Sequence, residues 1–536
     1  METRARFAKI VWLGLLCVAA LSVLLLGLRA YNSRTGPPLE LWHTYVPQEL
    51  TAGQLDHSDW NAYLNREDWL FQQVRREVTD RLPASARVAS NRYFEKSPVY
   101  PPGFDHDWNR SYEMLPSGKP VGAVVLLHGL TDSPYSLRHI ARIYVAHGFV
   151  AIGIRLPGHG TVPAGLTDTD WVTWMAATRL AMREAAHRVG PDRPLHVVGF
   201  SNGGALAMKY ALDSLEDRRL VRPQRIILFS PMIGVTRYAR FAGLASLPAL
   251  LPPFAKAAWL GIVPEFNPFK YNSFPVNGAT QSHRLTTALQ EELIRLARAD
   301  RLRALPPVLT FQSVIDSTVS TRAIIAAMYA RFASNGSELV LFDVNRRANI
   351  SQILNPASPL ALSRVMPRFP VAYRITVIAN AASGPENMQE RVLEPGSLQW
   401  QTRALDLVYP SQVFSLSHVA IPFPPDDPLY GARPDEASAS RYGVALGTLV
   451  PRGERGGLIL SLDTLFRIAS NPFFPYVSAR LDETISEPVR ASGAYSQSAD
   501  ARKTTESATA PERSMPVNAD GLSDDLLTDD EVSAAP

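Results

Sequence analysis

Residues 195–204 read LHVVGFSNGG. The first six are an apolar run of strand length, and from Gly203 a helical pattern continues to Leu215. At the junction stands Gly199-Phe200-Ser201-Asn202-Gly203, a G-x-S-x-G sequence. Alone, that pattern occurs by chance; between a strand and a helix it has a mechanical meaning. The reversal is so tight that its flanks need residues without side chains, and the serine is lifted into the open above the free N–H groups of a helix start. Ser201 is therefore the candidate nucleophile. The competing reading is a serine in an ordinary glycine-rich loop.

Outward from this turn the chain keeps alternating. Apolar runs stand at 123–127 (AVVLL), 149–154 (FVAIGI), 225–230 (RIILFS), 307–313 (PVLTFQS) and 338–342 (ELVLF), with helical patterns over 170–188 and 203–215 filling the first gaps. Short apolar strands separated by helices predict an α/β fold whose mostly parallel sheet is covered on both faces. Ligands in such folds sit beyond the carboxyl ends of the strands. The chemically suggestive residues fall there.

Leu127-His128-Gly129-Leu130 directly follows the first of these strands. Attack by a serine on an acyl group creates an oxyanion that needs two aimed N–H donors. The candidates are the backbone N–H groups of Leu130 and Asn202. Strand-turn-helix serines are followed in the chain by the acid and then the histidine. Asp316 comes after 307–313, and His418 comes after VFSLS (413–417), which reads as a strand. His418 would accept the Ser201 proton and Asp316 would hold the imidazole tautomer. Asp343, after 338–342, is the competing acid. His128, His139 and His159 precede the serine and His283 lies in an inserted segment, so His418 is preferred; His128 reads as a brace for its loop.

The stretch 124–160 (VVLLHGLTDSPYSLRHIARIYVAHGFVAIGIRLPGHG), followed by GFSNGG (199–204), resembles the monoacylglycerol lipase and carboxylesterase branch of the α/β-hydrolases, which includes serine aminopeptidase-like proteins. The resemblance covers about 115–320 and the surroundings of His418. It implies an α/β-hydrolase fold, a helical cap at 232–306 lining an acyl pocket (Phe241, Leu244, Leu247, Leu250, Leu251, Phe254, Trp259 and Leu260 are there), and a small-molecule or lipid ester as substrate. A helical subdomain with its own core is the plainer reading of 232–306. The chain departs from the pattern at 344–410, an expected insertion that separates Asp316 from His418 by 102 residues.

Within 536 residues there are 54 Lys and Arg against 50 Asp and Glu, a net charge of +4 with no basic block, so no nucleic-acid partner is expected. The lone Cys17 excludes an internal disulfide and a cysteine-held zinc, and no G-x-G-x-x-G opens the first helix. Neither a metal nor a cofactor is expected. Residues 10–28 (IVWLGLLCVAALSVLLLGL) carry no charge and are long enough to span a bilayer as a helix. Arg4, Arg6 and Lys9 before the run favour a cytoplasmic N-terminus, with the enzyme on the other side. The competing reading is a cleaved signal peptide, which would leave a secreted or periplasmic enzyme.

The domain reading is an anchor at 1–30, an extension at 31–115 with a helix over 59–82, an α/β-hydrolase domain at 116–485 and an acidic tail at 486–536 too poor in apolar residues to fold. The chain thus reads as a membrane-anchored serine esterase or lipase. Peptidase or amidase chemistry on the same residues, and a non-catalytic binding protein, are the alternatives.

Overall fold

The computed structural model describes residues 2–34, 36–234, 247–348, 360–381, 387–434, 445–448 and 467–487. The expected tail from residue 488, and Phe241 and Leu244 of the expected cap, lie outside these residues. Twelve strands occur among the described residues: β1 Tyr112–Met114, β2 Gly122–Leu127, β3 Phe149–Ile154, β4 Leu195–Phe200, β5 Arg225–Phe229, β6 Trp259–Gly261, β7 Phe274–Pro275, β8 Val308–Ser313, β9 Glu338–Phe342, β10 Arg374–Asn380, β11 Asn387–Leu393 and β12 Trp400–Val408. All but β6 and β7, which form a small ribbon, join one sheet in the order β1-β3-β2-β4-β5-β8-β9-β10-β11-β12. From β3 to β10 every pairing is parallel.

The apolar strand runs are explained by this arrangement. β2, β4, β5, β8 and β9 are buried along their whole length, so both faces must be apolar. Helices Trp171–Val189 and Asn202–Glu216 cover one face, while helices Arg138–Ala146 and Phe474–Ser486 contribute to the core on the other. Helix Val276–Arg298, inside the expected cap, sets Leu285, Leu289, Leu293 and Leu296 into the first of these cores. Each such side chain contributes roughly 1.5–3 kcal/mol. The rest of that segment leaves Leu247, Leu251 and Leu260 exposed, and Trp259 packs edge-on against His43.

The segment 344–410 is where expectation and structure part most clearly. Instead of a lobe inserted at the site, its strands β10, β11 and β12 continue the sheet at the edge farthest from β1, the last two as antiparallel additions. The last part of β12 alternates half-buried Leu405 and Leu407 with exposed Asp406 and Val408, as a strand with one face in water does. Residues 413–417 are also not a strand. They run as irregular backbone held by side chains: Asn345 Nδ2 donates to Pro410 O and Val413 O, and Ser313 Oγ donates to Leu416 O at 2.9 Å. A ladder partner is replaced by these long-range bonds and by Asn345 N, which donates to Phe414 O at 2.7 Å.

At the N-terminus, helix Glu2–Arg34 contains an apolar span, Val11–Tyr31, long enough to cross a membrane by length and composition. Arg29 donates to the carbonyl oxygens of Trp259 and Ala257. The extension then packs as the helix Trp60–Val74 and a wider turn, Arg75–Thr79, burying Leu70, Val74 and Val78.

Candidate active site

β4 ends at Phe200 and helix Asn202–Glu216 begins two residues later, which leaves Ser201 alone to make the reversal. It does so at φ 54° and ψ −116°, a region that costs a side-chain-bearing residue on the order of 1–3 kcal/mol. Hydrogen bonds over-determine this conformation. Ser201 N donates to Phe229 O at 2.9 Å, and Ser201 O accepts from the N–H groups of Gly204 and Met232. Gly203 has no alternative: a Cβ there would lie 1.9 Å from Leu127 O. The close approach of the helix start to the end of β2 is what puts Ser201 beside Gly129.

The turn after β2 comes next to the serine. A Cβ built on Gly129 would meet Ser201 Cβ at 3.3 Å. Leu130 follows, and Thr131 at φ 62° bends the chain back. Asn202 is the first residue of its helix, so its N–H has no intrahelical acceptor. Its Oδ1 accepts from Ser282 Oγ at 3.2 Å.

His128 is fixed at both ring nitrogens. Nδ1 donates to Gly129 O at 2.9 Å, and Nε2 accepts from Leu156 N at 3.0 Å. Burial holds its pKa well below the usual imidazole value, and nearby His159 lowers it further, so the ring is neutral. It braces the turn.

His418 opens a short 3-10 turn with its ring stacked, at a centroid distance of 5.3 Å, on Phe200, the residue before Ser201. Its Nδ1 lies 2.9 Å from Asp316 Oδ2. The side chains of both are enclosed, 5% and 0% exposed. Burial alone would raise the Asp316 pKa. The hydrogen bond and charge of His418, with the N–H groups of Val319 and Thr318 at 2.9 and 2.8 Å, outweigh it and hold the carboxyl below its usual range. Asp343, the competing acid, points elsewhere and accepts from Arg346 at 3.2 Å. The two loops that carry Asp316 and His418 are stitched together by the bond from Ser313 to Leu416.

Residues that sequence reasoning missed come from the N-terminal extension. Arg155, in the Arg155-Leu-Pro-Gly-His-Gly160 turn, is wholly buried and held by Glu49 at 2.7 and 3.0 Å and by Glu67 at 2.9 Å. Glu49 also accepts from Gly158 N at 2.8 Å, and Tyr63 donates to Arg155 O. A buried guanidinium requires carboxylate partners; that requirement was the only signal in the sequence, and it could not say which acids. Among the described residues no group of three His, Cys, Asp or Glu side chains is placed to hold a metal.

Comparison with known proteins covers the part of the chain that carries Ser201 and Asp316 and ends before His418. Residues 118–343 match the family "Serine aminopeptidase, S33". A thermostable monoacylglycerol lipase of Bacillus sp. (strain H-257) is 34% identical over 92 residues, which span 17% of this chain and 35% of that relative. The chain therefore aligns with about a third of that protein's length. Among solved structures, one from a study of the metagenome-derived lipolytic enzymes LipS and LipT aligns at 22% identity over 48% of this chain and 97% of its own, with a TM-score of 0.35. A soluble variant of monoglyceride lipase from Saccharomyces cerevisiae aligns at 16% identity over 43% and 82%, with a TM-score of 0.33. With residues 118–343 matched and a mostly parallel, doubly covered sheet beneath them, the chain carries an α/β-hydrolase fold and is similar over that stretch to the monoacylglycerol lipase and esterase-like branch.

Proposed function

We propose that the protein is a membrane-tethered serine hydrolase that cleaves carboxylic esters through an acyl-enzyme on Ser201. The observation that supports this most is the 2.9 Å pairing of His418 Nδ1 with Asp316 beside a serine held at a strained turn. In this reading, His418 Nε2 takes the Ser201 proton as Oγ attacks the ester carbonyl. The N–H groups of Leu130 and Asn202 receive the oxyanion. His418 then protonates the departing alkoxide, and a water activated by the same ring hydrolyses the acyl-enzyme. Asp316 keeps the proton on Nδ1 and stabilises the imidazolium. The apolar helix at Val11–Tyr31 would hold the enzyme at a bilayer.

The test is labelling with a fluorescent fluorophosphonate, with a series of p-nitrophenyl esters of rising chain length alongside. Labelling and turnover are expected in the wild type, and both are expected to vanish in Ser201→Ala. A folded wild-type protein that takes no label overturns the reading.

A further inference from the structure

Two cations stand at the edges of this site with no role in the steps above. Lys270 belongs to a strap that lies across the turn after β2: the neighbouring Tyr271 N donates to Thr131 O at 2.7 Å, and Phe269 stacks on Tyr135 with ring centroids 4.5 Å apart. Arg92 fastens the same strap by donating to Lys270 O at 3.3 Å. The ammonium of Lys270 makes no hydrogen bond or ion pair among the described residues. The charges that act on it are Asp132, attractive, and Arg467, repulsive; burial is the larger influence and lowers its pKa. Asp132 turns its carboxyl toward Gly129 N, 3.4 Å from Oδ2.

Arg467 stands on the opposite side. Its Nη2 donates to Thr318 Oγ1 at 3.0 Å, and Thr318 N in turn donates to Asp316 Oδ1. The strand order β2-β4-β5-β8 puts the Lys270 strap at the end of β2 and the Arg467 contact at the end of β8, with the Ser201 turn at the end of β4 between them. Two cations that repel each other across a site, one of them half-buried and without an ion-pair partner among the described residues, destabilise each other. An anion between them removes that cost.

We propose that Lys270 and Arg467 are specificity-determining residues that select esters bearing a second, anionic group remote from the scissile carbonyl, such as a carboxylate, on either the acyl or the alcohol side. This rests on the serine-hydrolase reading of the same site. The bond changes are those of ester hydrolysis: water adds across the acyl–oxygen bond, the acid and the alcohol leave, and the remote anion is untouched.

The experiment compares mono-p-nitrophenyl adipate with p-nitrophenyl hexanoate, close in length but differing by one carboxylate. The butyryl ester of 4-hydroxybenzoate puts the anion on the alcohol side instead. The ratio of kcat/KM for an anionic ester over its neutral counterpart is expected to fall about tenfold in Lys270→Met, as the loss of one charge-assisted hydrogen bond would give. It is expected to fall by a smaller factor in Arg467→Gln, whose exposed side chain is screened by solvent, and to fall with added salt in the wild type. The acyl-side or alcohol-side ester that responds identifies where the anion sits. An unchanged or increased ratio in Arg467→Gln and in a folded Lys270→Met, for both anionic esters, overturns the proposal while leaving the hydrolase reading intact. A wild type that takes no fluorophosphonate label overturns both.

Discussion

Glu49 grips the guanidinium of Arg155 with both carboxylate oxygens, at 2.7 and 3.0 Å, across 106 residues of chain. This ties the N-terminal extension to the turn at 155–160. The consequence reaches the oxyanion side of the site, because Leu156 N donates to His128 Nε2 and His128 braces Gly129. Replacing Glu49 leaves a buried guanidinium with Glu67 as its one remaining carboxylate, against which breaking a buried pair costs about 3–5 kcal/mol. Glu49→Ala is expected to lower thermal stability by an amount in that range. Glu49→Gln, which keeps one acceptor for Gly158 N, is expected to lose less. Thermal unfolding of the three proteins checks this; equal stability of Glu49→Ala and wild type would mean the extension is a passive cover.

For Asp316 the sign of the pH effect can be worked out. Its folded pKa lies below the ordinary 3.8. The stabilisation from its pair with His418 is therefore fully present above about pH 4 and is lost as pH falls through the depressed value. Asp316→Asn is expected to reduce kcat by about 10⁴-fold, as when the tautomer-holding acid of such a triad is replaced. The stability gap between the variant and wild type should be constant from pH 7 down to about pH 4 and shrink below. A gap that closes between pH 5 and 7 would assign it to another group.

Asp132 behaves in the opposite sense. Burial pushes its pKa up to about 6, against the pull of Lys270 and of hydrogen bonds from Ser136, Ser133 and Gly129. The folded protein then holds a proton that the unfolded chain, near 3.8, releases. Stability from this group is highest below about pH 4, falls as pH rises toward 6, and is flat beyond. Two pKa units correspond to about 3 kcal/mol. Asp132→Asn should lack this slope, so that its unfolding temperature gains on wild type between pH 4 and 6. Parallel curves over that window would contradict the assignment.

What is legible in the sequence follows from the range of the forces involved. The serine turn was legible because its constraint is local: Gly203 must be bare with Leu127 O so close, and the glycine is visible in the string. Chain order singles out Asp316 and His418 as the candidate acid and base, and the structure pairs their side chains. Glu49 and Glu67 were not, since an acid that pairs 88 or 106 residues away looks like any surface acid. VFSLS alternates like a strand, yet Ser313 and Asn345 hold 413–417 by side-chain bonds that no periodicity records. The place of 344–410 in the sheet is not legible in the string: β11 and β12 are largely polar, because a sheet edge needs apolar residues on one face only.

The loop after His418 offers the clearest test of what holds the histidine in place. Nine residues on, Asp427 is completely buried and accepts from Arg138 at 2.5 Å, His139 at 2.9 Å, Tyr135 at 3.0 Å and the N–H groups of Leu429 and Tyr430 at 2.9 and 2.7 Å. Burial would raise its pKa, but Arg138 and His139 outweigh it and hold the carboxylate ionised far below the usual range. Arg138 in turn lies 3.6 Å over the Tyr135 ring. Removing the carboxylate in Asp427→Ala strands a buried cation and is expected to cost about 3–5 kcal/mol. Removing both charges in Arg138→Met with Asp427→Ala eliminates the stranded charge, though His139, Tyr135 and two N–H groups still lose an acceptor. The double variant should therefore be more stable than Asp427→Ala alone. Denaturant unfolding of the single and double variants measures the coupling, and strict additivity of the two substitutions would show that the pair does not hold the loop as a unit.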